Sequence, residues 1–364
     1  MSGIERVTLP PGAWLTSLLG LPGMGPVRLR NQLADRTPHE AWTAILAGEG
    51  RGADDLVRTW ASAARGVDVA AVWSRHRAAD VRVLLPDEPA WPPSLLADPE
   101  PPAVLFARGE PAALARPRVA IVGTRRCTAV GRSIAAELGR DLAEAGICVV
   151  SGLALGIDGA AHRGALDGGG APAAVVATGL DIVYPTRHRP LWEEVVAGGV
   201  LLSEYPLGTP PERWRFPARN RIIAALADVV VVVESHATGG SMHTVEAALE
   251  RDRLVAVVPG SVRSPASSGT NGLLVSGAVP VRDATDVVVL LGLGATLTGH
   301  SALTSPAPGG DAGTVLDALG WEACTLEEIA QRCDAPLGPV AVQLAGLERE
   351  GWITQGAGWY ERVR

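Results

Sequence analysis

The chain contains no lysine; all 32 of its basic residues are arginine. With the accompanying excess of Ala, Gly and Pro, this points to a GC-rich genome more than to a function. Cysteine is also scarce. Cys127, Cys148, Cys324 and Cys333 are scattered with no Cys-x-x-Cys pair, so they read as reduced thiols and not as a zinc site or a disulfide frame. No window holds the ~20 uninterrupted apolar residues of a membrane span, and the N-terminus lacks a charged-then-apolar signal pattern. A soluble cytoplasmic protein with no membrane contact is expected. At 364 residues, 47% hydrophobic, the chain is long enough for two or three globular domains.

The net charge of −7 argues against a general polyanion binder, so the distribution of charge matters more than its sum. From Pro111 to Ser133 there are five arginines (Arg116, Arg118, Arg125, Arg126, Arg132) and no acid. A second run, Arg213, Arg215, Arg219 and Arg221, has only Glu212 against it. The first abuts a Gly-rich turn and the second an Asn-containing one, which suits a focused anionic ligand. The most informative stretch is Val119 to Gly131. There an apolar strand empties into Gly123, Thr124, Arg125 and Arg126, and a helical pattern begins near Thr128. Glycine permits a tight turn, the helix start offers unpaired N–H groups, and arginine adds a fork matched to phosphate oxygens. The corner reads as an anion site.

The pattern divides the chain into five parts. Residues 1–80 look helical and separate. Within them Leu18–Leu33 has the form of a helix-hairpin-helix, able either to present backbone N–H groups to a phosphate or merely to pack. A Pro-rich connector, 81–115, contains a strand-like run at Val104–Gly109. Residues 116–295 alternate strand-like runs (Val119–Val122, Ile147–Ser151, Ala173–Ala177, Val200–Ser203, Val229–Glu234, Leu254–Val258) with helical ones (Gly131–Ala145, Gly156–Leu166, Ser241–Glu250). Continuous Val/Ile runs indicate strands buried on both faces, hence an α/β, Rossmann-like, doubly wound parallel sheet with its crevice at the strands' C-terminal ends. A linker, 296–312, precedes a winged helix at 313–364, where Thr325 and Glu328 have capping-box spacing. That last domain is acidic, which favours protein contact over groove reading.

Seven segments of the middle domain, in order, resemble the DNA-processing protein A family (DprA, also called Smf), whose core is an extended Rossmann-like fold. They are IVGTRRCTAVG, SGLALGIDGAAHRGAL, TGLDIVYP, LLSEYPLGTPP, FPARNRIIAALADVVVVVES, GGSMHTVEAALERDRLVAVVPGSV and GTNGLLVSGA. The helical (SAM-like) N-terminal and winged-helix C-terminal parts also suit that family. The resemblance implies a non-catalytic protein without a cofactor. Such a protein binds and protects single-stranded DNA during natural transformation, forms a homodimer, and helps load the RecA recombinase. It places a DNA phosphate on Arg125, with Gly123 and Thr124 shaping the pocket. Ser151, Gly152, Gly179, Asn220, Gly240, Ser241 and Thr244 line the same rim. Further phosphate contacts come from Arg219 and Arg221, and Arg126, Thr128 and Arg132 belong to the same basic corner. Departures from the family pattern are Gly239-Gly240-Ser241 where Ser-Gly-Ser is common, and His243 and His188 at positions usually apolar and Asn. Backbone contacts often made by Lys fall to Arg here.

Other readings remain. Gly239–Glu246 partly resembles the loop of the Lonely Guy phosphoribohydrolases, which cleave nucleoside monophosphates, but Met242 stands where that loop has a second Gly. A third reading is an adaptor whose basic rim meets an acidic protein. Asp158 and His162, one helical turn apart, could suggest acid–base chemistry, yet no nucleophile or ligand set accompanies them, and a pocket-wall role is favoured. Asp181 reads as a loop-fixing acceptor and Tyr184 as packing or base contact, while Glu204 and Glu234 are a weak Mg²⁺ signal. Trp214 and Phe216 sit among basic residues, as base-stacking aromatics do, although core burial is favoured for Phe216.

Overall fold

In the computed structural model the described residues are 9–293, 308–356 and 358–363. Five helices come first: α1 (Pro11–Leu19), α2 (Pro26–Leu33), α3 (Pro38–Ala47), α4 (Asp54–Arg65) and α5 (Val69–Ala78). Helix α3 starts with a full capping box, in which Thr37 and Glu40 each satisfy the other's backbone N–H. The α1–α2 turn uses Gly23 at φ +65°, and the fully buried Trp60 donates its indole N–H to the Pro22 carbonyl at 2.9 Å.

The connector supplies β1 (Arg82–Leu84), a single turn α6 (Pro93–Leu96) and β2 (Leu105–Gly109). The middle domain then runs β3 (Arg118–Val122), α7 (Ala129–Glu144), β4 (Cys148–Ser151), α8 (Ile157–Asp167), β5 (Ala173–Val176), α9 (Arg189–Gly198) and β6 (Val200–Ser203). It continues with α10 (Arg215–Leu226), β7 (Val229–Val232), α11 (Met242–Leu249), β8 (Leu254–Val257), α12 (Ser268–Val275), β9 (Val279–Pro280) and α13 (Ala284–Leu290). All the expected strands and helices form, with ends within a few residues of the sequence reading.

The strands make one nine-stranded sheet in the order β1-β2-β6-β5-β4-β3-β7-β8-β9. Pairings from β6 to β9 are parallel, whereas β1–β2 and β2–β6 are antiparallel. The chain winds outward from β3 to β6, then restarts beside β3 with β7 and winds the other way. The crevice beyond the C-terminal ends of β3 and β7 is therefore the topological switch point, where ligands of open α/β sheets bind.

A parallel sheet must be covered on both faces. Helices α10 and α11 cover one face with Ile222, Ile223, Val245 and Ala248. On the other, α7, α8 and α13 cover the β3/β4/β7/β8 half. The remaining half, around Phe106, Val176 and Leu201, is sealed by α9 and the N-terminal helices, whose Leu18, Trp42 and Trp60 belong to the same cluster. Residues 1–80 were expected to stand apart; those that are described form a layer of the central domain instead. The wholly buried His76 marks the join, its ring nitrogen accepting the Leu207 N–H at 3.0 Å. The connector likewise is part of the sheet.

The C-terminal unit comprises α14 (Gly310–Leu319), β10 (Cys324–Thr325), α15 (Leu326–Cys333), α16 (Leu337–Arg349), β11 (Ile353–Gly356) and β12 (Trp359–Arg362). Its strands pair antiparallel in the order β10-β12-β11, giving the winged-helix form. Thr325 and Glu328 make the expected capping box. Most of the linker assigned to 296–312 lies outside the described residues.

Helices α7 and α8 approach each other closely through glycines. A side chain at Gly164 would collide with the Ala136 carbonyl, and one at Gly139 with the Ala161 carbonyl. Gly164→Val is expected to lower the unfolding free energy by about 1–3 kcal/mol through overpacking, read as a reduced urea midpoint.

Candidate functional site

A groove of about 640 Å³ lies at the switch point. Its walls are the loop after β3 (Gly123–Arg126), one face of α10 and its approach (Arg213, Phe216, Pro217, Asn220, Ile223), and the turn into α11 (Gly239–Ser241, His243, Thr244). Gly123 is required by close approach, since a Cβ there would lie 2.6 Å from the Ile157 side chain and 2.7 Å from the Glu234 carbonyl. Thr124 N–H donates to that same carbonyl at 2.7 Å, fixing the loop across the β3–β7 gap. Asn220 reaches from α10 to the Gly240 carbonyl at 3.4 Å, while the Ser241 hydroxyl donates to Ser235 at 2.8 Å.

The start of α7 was expected to present free N–H groups to an anion. The protein's own Glu234 occupies that place. Its carboxylate accepts from Thr128 N–H at 2.9 Å and from the Thr128 hydroxyl at 2.6 Å, and Thr128 Oγ1 in turn accepts from Gly131 N–H at 2.9 Å. Gly131 has no side chain because the Glu234 carboxyl fills the space a Cβ would take. Thr128 is therefore a cap, and the α7 dipole is answered internally.

In the second arginine run Arg215, Arg219 and Arg221 are helical and Arg213 precedes the helix; no turn lies at 219–221. Only part of it faces the groove. Arg219 lies at the groove but is 4% exposed. Its guanidinium donates to the Gly152 carbonyl at 2.9 Å and to the Val175 carbonyl, and its Nε to Asn220 Oδ1 at 3.2 Å. A Cβ on Gly152 would lie 2.6 Å from one of its terminal nitrogens, so glycine is needed there for the guanidinium to lie against the backbone. Burial lowers the Arg219 pKa to about 10, with the nearby Asp158 opposing the drop. Asp158 accepts the Gly152 N–H at 3.1 Å; burial raises its pKa, and Arg219 chiefly resists that rise. Arg221 points elsewhere: its guanidinium binds Glu204 at 2.6 Å and the Glu100 carbonyl at 2.8 Å, and it does not line the groove. Its carboxylate partners answer the phosphate role expected of it, while Arg219 is a buried support.

What the groove does offer is three exposed arginines. Arg125, Arg126 and Arg213 have no carboxylate partner among the described residues. Among the described residues the one acid lining the groove is the buried Asp158. Arg125 lies 5.0 Å above the Phe216 ring, and Phe216 meets Tyr184 at 5.4 Å between centroids. Phe216 was expected in the core; it is half-buried and lines the groove, because its helix turns that face outward. His236, which sequence reasoning did not single out, lines the wall as well. Nothing local in the sequence distinguishes this histidine.

The other sequence candidates lie away from the opening. Ser151 is wholly buried and donates to the Ile121 carbonyl at 2.6 Å. Gly152 lies against Arg219. Gly179 belongs to a neighbouring turn, its N–H bonded to the Thr209 carbonyl at 3.0 Å, and Asp181 accepts Gly208 N–H at 2.9 Å in the same turn, the fixing role expected of it. Arg132 is exposed on α7 but does not line the groove. Glu204 and Glu234 are each engaged as described, and no cluster of three metal-ligating side chains occurs among the described residues. Glu246 is exposed beside His243 at 3.2 Å, outside the groove lining.

His162 is wholly buried, and burial pushes its pKa down to about 3. A histidine held neutral this way stabilises the fold above its unfolded pKa near 6.5, and that contribution is lost as pH falls toward 3. Unfolding free energy measured against pH should fall faster for the wild-type chain than for His162→Gln. The difference approaches ~1.4 kcal/mol per pH unit inside the window and vanishes above it.

Known proteins are similar to this chain in sequence and architecture. The sequence model of the family described as DNA recombination-mediator protein A matches residues 82–292, and that of the DprA winged helix domain matches 300–358. A Mycobacterium tuberculosis protein bearing the DprA name is 41% identical over 309 residues, covering 76% of this chain and 78% of its own. Protein Smf of Escherichia coli is 36% identical over 290 residues, 76% of each chain. The X-ray structure of DNA processing protein A from Streptococcus pneumoniae superposes with a TM-score of 0.67 at 29% identity, covering 78% of this chain and 98% of its own. A Helicobacter pylori DNA processing protein A structure, which concerns that protein's single-stranded DNA binding mode, gives 0.52 at 33% identity over 58% and 95%.

Proposed function

The chain belongs to the DNA recombination-mediator protein A family, and from that premise we propose that its switch-point groove binds single-stranded DNA by the phosphate backbone. The observation that carries this reading is three exposed, unpaired guanidinium groups, Arg125, Arg126 and Arg213, around an aromatic pair with one buried acid among them. Guanidinium forks suit phosphate oxygens, and Phe216 and Tyr184 offer ring faces on which any base can stack. Recognition of this kind has little base selectivity. The Helicobacter pylori relative's single-stranded DNA binding supports the assignment.

The role is non-catalytic. In the cytoplasm the protein shelters incoming single strands during natural transformation and helps place RecA on them. As a homodimer it presents two grooves to one strand, raising avidity through effective concentration. Gly123, Thr124, Asn220, Gly240, Ser241 and Thr244 shape the opening; Ser151, Gly152 and Gly179 act from behind it.

Anisotropy with oligo-dT tests the reading. Arg125→Ala should weaken binding by about 10- to 150-fold, the equivalent of 1.5–3 kcal/mol for a charge-assisted hydrogen bond. It should also flatten the dependence of log affinity on log salt by about 0.7, one phosphate's share for a single strand. Unchanged affinity would sink the assignment. Release of adenine from AMP would sink the non-catalytic one.

A further inference from the structure

A second depression, about 580 Å³, lies between the α1–α2 hairpin and the Tyr205–Pro210 loop. It shares a wall with the groove. Arg213 and Phe216 face the groove, while Trp214 and Arg215, between them in sequence, face this cleft. We propose that the cleft takes a nucleobase of the same strand, so that DNA leaving the groove continues over the first turn of α10 and against the hairpin. This rests on the groove's holding single-stranded DNA, and it extends the path beyond it.

Four observations carry the inference. Trp214 is 52% exposed, a large aromatic left facing solvent at the edge of a cleft. It is also held still, because its indole N–H bonds Glu212, with ring contacts to Arg215 at 5.0 Å and Tyr205 at 6.3 Å. Glu212 is matched by Arg215 at 3.1 Å, so the charged residues lining the cleft, Arg28 and Arg215, leave it without net negative charge. Finally, Tyr205 lines the cleft and is 5% exposed, yet its hydroxyl has no hydrogen-bond partner among the described residues. A buried hydroxyl left unpaired is costly, so the wall at Tyr205 carries an unmet hydrogen-bonding need. On the hairpin side Leu21, Met24 and Val27 supply an apolar wall suited to a base face. A fixed aromatic platform, cationic surroundings and an apolar slot are how single-stranded DNA is held without sequence preference.

The test is an anisotropy series with oligo-dT of about 4 to 16 nucleotides. Two variants alter exposed positions that the fold does not depend on: Trp214→Ala removes the platform, and Val27→Glu, at a site 67% exposed, sets a negative charge on the opposite wall. Each should weaken the longer oligonucleotides by roughly 5- to 100-fold and leave the shortest nearly unchanged. If both variants bind every length like the wild type while Arg125→Ala remains impaired, the strand does not cross the cleft, the proposal is overturned and the groove assignment stands. A cleft that serves a protein partner gives that same result. If Arg125→Ala is also without effect, the groove reading falls and this proposal with it.

Discussion

The guanidinium of Arg219 holds the two halves of the site together. It reaches from α10 beneath the groove to carbonyls at the ends of two strands, Gly152 after β4 and Val175 on β5. Taking an arginine out of water is expensive, and it is sustained here because two carbonyls accept its protons and the Asp158 carboxyl lies close by. The cost is offset by position. With Arg219 anchored, the face of α10 that carries Phe216 and Asn220, with Arg213 just ahead of the helix, stands at a fixed distance from the loop that carries Arg125. The Arg125–Phe216 contact is a consequence. With a pKa of about 10 the buried group remains a cation at neutral pH, and it adds to the field of the groove without touching solvent.

That field does not come from the α7 dipole. Because Glu234 closes the α7 start, what an approaching anion meets is a set of exposed arginines. Long side chains adapt to a polymer whose phosphates are not rigidly spaced, and their charge–charge contacts are screened by salt. The exclusive use of arginine also acquires a role at this point. A planar guanidinium lies on the Phe216 ring and still presents donors at its rim, which a compact ammonium does less well. An acidic chain thereby carries a local basic site.

The strands were legible because runs such as Val229–Val232 have no polar face to alternate with, and Arg125 was legible because it follows a strand and a glycine. Arg219 and Arg221 were not separable by sequence. On a helix two residues of spacing is about 200° of rotation, so one side chain turns under the groove and the other toward Glu204. The 219–221 stretch reads as a turn in the sequence because Asn220 and the flanking charges mask a twelve-residue helix. Glu234 could not be foreseen as the α7 cap, since 106 residues separate it from Thr128 and nothing local marks the pairing. The N-terminal helices posed a similar problem: an amphipathic helix looks the same whether it packs on its neighbours or on a sheet, and only the uncovered half of the sheet decides which.

The Glu234 cap also discriminates among ligands that this kind of sheet can hold. In dinucleotide-binding versions of the doubly wound fold, the pyrophosphate sits on the helix N-terminus after the first strand, close to bare backbone. Here that position is filled by a carboxylate bonded to Thr128, and Gly131 leaves room for the carboxylate instead of for a phosphate. A diphosphate seated there would face a negative charge at contact distance in a half-buried site, where screening is weak. Single phosphates strung along the outer rim, opposite Arg125, Arg126 and Arg213, avoid that repulsion. The same crevice that elsewhere suits a compact cofactor is thus biased toward an extended anionic chain, and the bias comes from one buried acid rather than from the arginines alone.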